Sequence, residues 1–145
     1  MKSIRLVLLL VLGLGIQGKP VDPSPLQAQI YDFSTIEIDV RSHADGGVQF
    51  HFFSSRKDPT TQEKIPARMY RLTVFEPTTK RILWRIETSH VPDMTTSVSY
   101  GPVPEGFKQI VPATGSAPTL EPGQRYSVSA YCDADGIGMT SFTAK

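Results

Sequence analysis

The chain has 145 residues, 39% of them hydrophobic, and its 15 basic and 14 acidic side chains leave a formal net charge of +1. That length suits one domain with its own core and is too short for two ordinary domains. Because basic residues are not in excess, binding to nucleic acid is not expected. Twelve prolines and eleven glycines are spread along the chain, which indicates short strands joined by turns and therefore an all-β fold.

Residues 1–18 have the pattern of a secretory signal peptide. Lys2 and Arg5 precede an apolar run that is well short of the roughly 20 residues needed to span a bilayer. Cleavage after Gly18 is expected, with Ala28 as a later candidate and an uncleaved anchor as the alternative. Cleavage would leave 13 basic and 14 acidic residues. We therefore predict a secreted or periplasmic protein with no membrane span after cleavage.

The folded domain is expected over residues 31–145. Before it, residues 19–30 include the proline-rich run KPVDPSPLQ, which predicts an extended leader or a loose edge strand. The domain contains seven to eight segments with the period-2 alternation of strands that have one buried face. In chain order they are residues 33–40, 48–53, 69–76, 81–87, 95–100, 107–111, 126–132 and 138–143. Residues 54–66 show no periodic apolar set and are predicted to be the longest surface loop.

The clearest hairpin consists of RMYRLTVFE and KRILWRIE, joined by PTTK. Alternation predicts one inward row on each strand: Tyr70, Leu72 and Val74 on the first, and Ile82, Trp84 and Ile86 on the second. Trp84 is the expected core anchor, because a lone indole in a small domain usually buries the largest area.

Residues 120–132, LEPGQRYSVSAYC, combine a turn with a strand. Pro122 and Gly123 are residues that tight turns select, and the following alternation places Tyr126, Val128, Ala130 and Cys132 on one face. The buried position predicted for Cys132 makes it a small core residue. No second cysteine exists to form an intramolecular disulfide, and the alternative is pairing between two chains.

The spacing L-x-P-G-x-x-Y-x-V-x-A in this stretch resembles the corner between the fifth and sixth strands of fibronectin type III and related immunoglobulin-like domains. The resemblance implies a single antiparallel β-sandwich of seven to eight strands. It also implies that the Tyr126 hydroxyl ties the corner to the backbone, that Leu120 closes the bottom of the core, and that residues 126–132 form a central strand. With one cysteine, the chain resembles the disulfide-free fibronectin-like branch.

Known catalytic and metal-binding patterns are missing from the sequence. His43, His51 and His90 lie at no zinc-ligand spacing from one another or from Cys132, and Asp133 to Gly136 is better explained as a hairpin turn than as a calcium loop. No serine lies in a G-x-S-x-G context. We therefore predict no catalytic residues, no metal and no cofactor.

The acidic strand residues are expected on solvent-facing sides of the sheets rather than in a catalytic pair. They are Glu37, Asp39, Glu76 and Glu87, and Arg71 and Arg85 are their expected partners.

A ligand surface is predicted from four aromatic residues. Phe53 and Tyr131 point away from the presumed core, whereas Tyr100 and Phe107 flank a Gly/Pro-rich loop. The alternative for Tyr100 and Phe107 is that they cap the core.

The predicted function is a non-catalytic interaction or structural module with a protein or glycan partner. The alternatives are a carbohydrate-binding accessory module, and a small secreted enzyme or inhibitor that uses the 54–66 loop.

Overall fold

A computed structural model describes residues 36–133 and 136–145. They belong to one compact unit, Asp32–Lys145. The predicted signal peptide and leader, residues 1–18 and 19–30, lie outside the described residues. The expected all-β sandwich is confirmed, because two antiparallel sheets pack around one core. No helix of the described residues is long and apolar enough to cross a membrane.

The first sheet has four strands, with β2 in its centre. Its strands are β1 (Ile36–Ser42), β2 (Val48–Lys57), β3 (Lys64–Pro66) and β6 (Ser97–Ser99). β1 pairs with one edge of β2, and β3 and β6 pair with successive parts of the other edge. A single 3₁₀ turn, Val91–Asp93, precedes β6.

The second sheet has five strands in the order β7-β5-β4-β8-β9. They are β4 (Met69–Phe75), β5 (Ile82–Glu87), β7 (Lys108–Val111), β8 (Arg125–Cys132) and β9 (Gly136–Thr143). β8 therefore lies centrally, between β4 and β9, and its whole length is paired with β9 from Arg125↔Thr143 to Cys132↔Gly136.

The core lies between the two sheets and is built from their inward rows. Phe50 and Phe52 on β2 belong to one core cluster with Leu72, Trp84 and Val128 of the second sheet, and all five are 0% exposed. Burial of each such side chain stabilises the fold by about 1.5–3 kcal/mol relative to exposure. Cys132 is also 0% exposed, and burial raises the pKa of its thiol to about 12.

The described residues form nine strands rather than seven to eight, because part of the predicted 54–66 loop is a hairpin. β2 continues to Lys57, and β3 returns beside it with Lys57↔Lys64 paired. The Asp58 carboxylate accepts the backbone N–H groups of Thr60 and Thr61, each at 2.8 Å. This turn chemistry, and not apolar periodicity, forms the hairpin, since its residues are almost all exposed.

Two β-bulges change which side chains face inward on the β4–β5 hairpin. Where β4 pairs with β8, Met69 lies opposite Cys132 and Arg71 lies opposite Tyr131, so Tyr70 is an extra residue on β4. Its side chain points outward beside the Tyr131 ring. A second shift on β5 buries Leu83 to 5% exposure and leaves Ile82 half-buried. The predicted inward rows are therefore wrong for Tyr70 and Ile82.

The stretch before β8 forms a closed corner. The Glu121 N–H donates to the Tyr126 hydroxyl at 2.9 Å, and the Tyr126 side chain is 4% exposed. Leu120 is half-buried and packs against the core. The Gly123 N–H also donates to the Ala144 carbonyl at 2.9 Å, so the turn is held to the end of the chain.

Candidate functional site

Two of the four predicted ligand-surface residues, Tyr100 and Phe107, pack with the core. Phe107 is 8% exposed, so its ring is unavailable to a ligand, and this part of the predicted surface is wrong. Tyr100 is half-buried, with its ring centroid 5.2 Å from that of Trp84 in an edge-on contact. Its hydroxyl donates to the Pro118 carbonyl at 2.8 Å, and burial raises its pKa to about 12. Both rings therefore cap the core.

The other two residues, Phe53 and Tyr131, are half-buried and belong to different sheets. Phe53 lies on β2, where the Lys64 ammonium is 5.3 Å from its ring centroid. Tyr131 lies on β8 of the other sheet, so the two rings do not share a surface. Alternation directs both side chains away from the core, but strand pairing decides which sheet each one occupies.

Tyr131 is instead the centre of an apolar and cationic surface on the outside of the five-stranded sheet, which we call the outer face. The Arg71 guanidinium lies 5.3 Å from its ring centroid, within cation–π range, and the Tyr70 ring lies 6.3 Å away. On the neighbouring edge strand, Ile137 and Met139 are 46% and 70% exposed. They pair with Tyr131 and Ser129, so an apolar strip borders the tyrosine.

A shallow depression of about 300 Å³ lies in the outer face beside Tyr131. Its lining residues are Arg71, Thr73, Phe75, Lys80, Ile82, Arg85, Ser129 and Tyr131. Arg85 Nε donates to Thr73 Oγ1 at 3.2 Å, while Arg71 Nε lies 3.2 Å from Glu87 Oε2. The expected pairing of Arg71 with an acidic residue is therefore present, whereas Arg85 bonds a hydroxyl.

A larger open groove of about 620 Å³ near one end of the same sheet is lined in part by His90, which is paired with Asp93. His90 Nδ1 lies 3.1 Å from Asp93 Oδ2, and the His90 side chain is 69% exposed. Asp93 packs against Gly106, where an added Cβ would lie 2.1 Å from Asp93 Cγ. No described Ser, Thr or Cys side chain hydrogen-bonds the His90 ring, so the pair lacks the nucleophile of an acyl-transfer triad.

The three histidines are dispersed over the fold. His43 lies in the β1–β2 turn, His51 on β2, and His90 in the groove. Among residues 36–133 and 136–145, no group of three His, Cys, Asp or Glu side chains is arranged to hold a metal ion. Asp133 Oδ1 accepts the Arg68 N–H at 2.9 Å, and the two residues that follow it lie outside the described part of the chain.

The exposed residues Ile137 and Met139 were the main omission of the sequence reasoning. The run GIGMTSFT alternates, so these two side chains had to lie opposite Phe142, the inward residue of β9. That signal was sufficient to find them. Lys80 and Arg85 gave no comparable signal, because the depression that they line is completed by Ser129 and Tyr131 of β8, which is distant in sequence. The sequence matches no protein-family model and no curated protein.

Proposed function

We propose that this protein is an exported, non-catalytic interaction module that binds a protein partner through the outer face. The observation that carries the proposal is the exposure of Ile137 and Met139, at 46% and 70%, beside the half-buried Tyr131. Grouped exposed apolar side chains next to an aromatic ring, with polar and cationic residues around them, are typical of protein-binding surfaces.

We also propose that the fold is of the immunoglobulin-like or fibronectin type III kind. In those sandwiches the first, second and fifth strands share one sheet, and the third, sixth and seventh share the other. If the short strands β3 and β7 are set aside, the remaining seven strands divide in the same way: β1, β2 and β6 lie in one sheet, and β4, β8 and β9 lie in the other together with β5. This division supports the assignment. The hydroxyl of Tyr126, bonded to the Glu121 backbone at the start of β8, supports it further.

A glycan-binding module is less well supported than a protein-binding one. The apolar faces of sugar rings stack best on exposed, roughly coplanar aromatic side chains. The adjacent rings Tyr70 and Tyr131 are tilted by 51°, and Phe53, Tyr100 and Phe107 lie elsewhere in the fold. For an enzyme, the only His–Asp pair among the described residues, His90–Asp93, has no hydroxyl or thiol bonded to it.

Site-specific photo-crosslinking tests the proposed surface. A benzoylphenylalanine at position 139 of the full-length protein, expressed in the native host, should form a discrete covalent adduct with one protein. The matched control places the same residue at Ser99, which is exposed on β6 of the other sheet. An adduct formed equally from both positions, or from neither, would contradict the proposal. An adduct between two copies of this chain would show that the protein partner is a second copy of the same chain.

Export is tested separately by the mass and N-terminal sequence of the protein recovered from the host. We expect a chain that begins at Lys19 and is found outside the cytoplasm, because residues 1–18 have the charge and apolar length of a cleaved signal. Recovery of the chain with Met1 intact in the cytoplasm would refute export and leave the binding surface unaffected.

A further inference from the structure

The depression in the outer face carries uncompensated positive charge. Three of its eight lining residues are basic and none is acidic. Glu87 compensates Arg71 at 3.2 Å. No carboxylate of residues 36–133 and 136–145 forms an ion pair with Arg85 or Lys80. Two cations therefore adjoin one small concavity without an anionic partner from the described part of the chain.

Arg85 is held in place for an external ligand. Its Nε donates to Thr73 Oγ1 at 3.2 Å, and Thr73 is only 7% exposed. This hydrogen bond restricts the Arg85 side chain on the surface of the sheet before any ligand binds. Less side-chain conformational entropy is therefore lost on binding. A guanidinium whose Nε is already engaged still has the N–H groups of its terminal nitrogens available, and these suit the two oxygens of a carboxylate.

The surroundings of the depression favour a protein as the source of that carboxylate. Phe75, Ile82 and Tyr131 form part of its wall, and Ile137 and Met139 extend the apolar area along β9. Apolar contacts of this extent complement aliphatic or aromatic side chains next to an acidic residue. An acidic sugar or an inorganic anion would leave Ile137 and Met139 uncovered.

We propose that the depression binds the carboxylate of an Asp or Glu side chain of the protein partner, with apolar neighbours of that residue contacting Ile137 and Met139. This inference rests on the proposed function of the outer face and adds the chemistry of recognition. Arg85 is the principal anchor, and Lys80 contributes charge from the turn between β4 and β5.

The test is an NMR titration of the full-length, ¹⁵N-labelled protein with the peptide acetyl-Leu-Glu-Leu-amide. We expect saturable shifts at the Arg85 Nε–H and at the backbone amides of Ser129 and Tyr131. The isosteric peptide acetyl-Leu-Gln-Leu-amide should bind about tenfold more weakly, as expected for loss of one charge-assisted pair. Equal affinity for the two peptides would overturn the inference. Glucuronate binding as tightly as the Glu peptide would assign the site to acidic sugars and overturn it as well.

Two variants locate the effect at Arg85. Arg85→Gln should weaken the Glu peptide about tenfold, and Arg125→Gln, a change on the exposed start of the same β8 face, should leave its affinity unchanged. Lys80→Gln serves as the second test if Arg85→Gln fails to fold, and it should weaken the Glu peptide severalfold. Equal loss in Arg125→Gln would indicate general charge attraction and overturn the inference. Crosslinking from position 139 without any peptide response would overturn it too, while the proposed function would stand.

Discussion

Removal of the Tyr126 hydroxyl is the most direct test of how the corner stabilises the domain. The Tyr126→Phe substitution deletes the acceptor of the Glu121 N–H, a bond of 2.9 Å, and leaves the buried ring in place. A net hydrogen bond contributes about 1 kcal/mol, and a donor left without a partner costs about 1–3 kcal/mol. Glu121 is exposed, so water partly replaces the lost acceptor. We therefore expect a loss of about 1–2 kcal/mol in the free energy of unfolding.

Urea denaturation followed by the fluorescence of the single tryptophan, Trp84, measures this loss. With an m-value of about 2 kcal/mol/M, the midpoint should fall by about 0.5–1 M at unchanged m. Tyr131→Phe is the matched control, because it lies on the same strand and its hydroxyl has no hydrogen bond among the described residues. Identical midpoints for Tyr126→Phe and wild type would show that the corner bond contributes nothing, and would refute this reasoning.

Three further predictions concern other parts of the fold. Gly138→Ala should destabilise the domain by about 1–3 kcal/mol, because the added Cβ would lie 2.3 Å from the Ile36 carbonyl oxygen; an unchanged thermal midpoint would contradict this packing. Gln109→Leu should cost about 1–3 kcal/mol and alter the emission spectrum, because it removes the acceptor of the Trp84 indole N–H at 3.1 Å; an unaltered spectrum and midpoint would count against it. Cys132 should react with a thiol reagent at pH 8 only after unfolding. Because burial raises its folded pKa from 9.0 to about 12, the unfolded state loses the proton first and stability should fall as pH rises between those values; rapid labelling of the native protein would refute the burial.

Residue alternation was sufficient to predict most strands and much of the core. Buried apolar side chains recur at every second position along β2, as at Phe50 and Phe52, and along β8, as at Tyr126 and Val128. Residues two apart lie on the same face of a strand but not of a helix. The turn at Pro122 and Gly123 was also predictable from its residues, whereas the bond between the Glu121 N–H and the Tyr126 hydroxyl was expected only through the resemblance to the fibronectin type III corner.

The errors come from the way strands pair with one another, which the alternation within a single segment does not determine. The bulges at Tyr70 and Leu83 depend on the register of β4 with β8 and of β5 with β4, and one extra residue reverses the direction of the side chains beyond it. β3 was missed for a related reason. It has no buried side chain, and the turn at Asp58 and the backbone of β2 stabilise it.

By itself, the sequence determined the fold class, the turn before β8 and the outward direction of Phe53 and Tyr131, because these depend on local conformation and on the period of a strand. The tertiary structure alone decided that these two rings lie on different sheets, that Phe107 is buried, and that Arg85 bonds Thr73 instead of a carboxylate. The outer face combines residues from strands distant in the chain. Sheet order and register brought them together, and those follow from the free energy of the whole core rather than from any one segment.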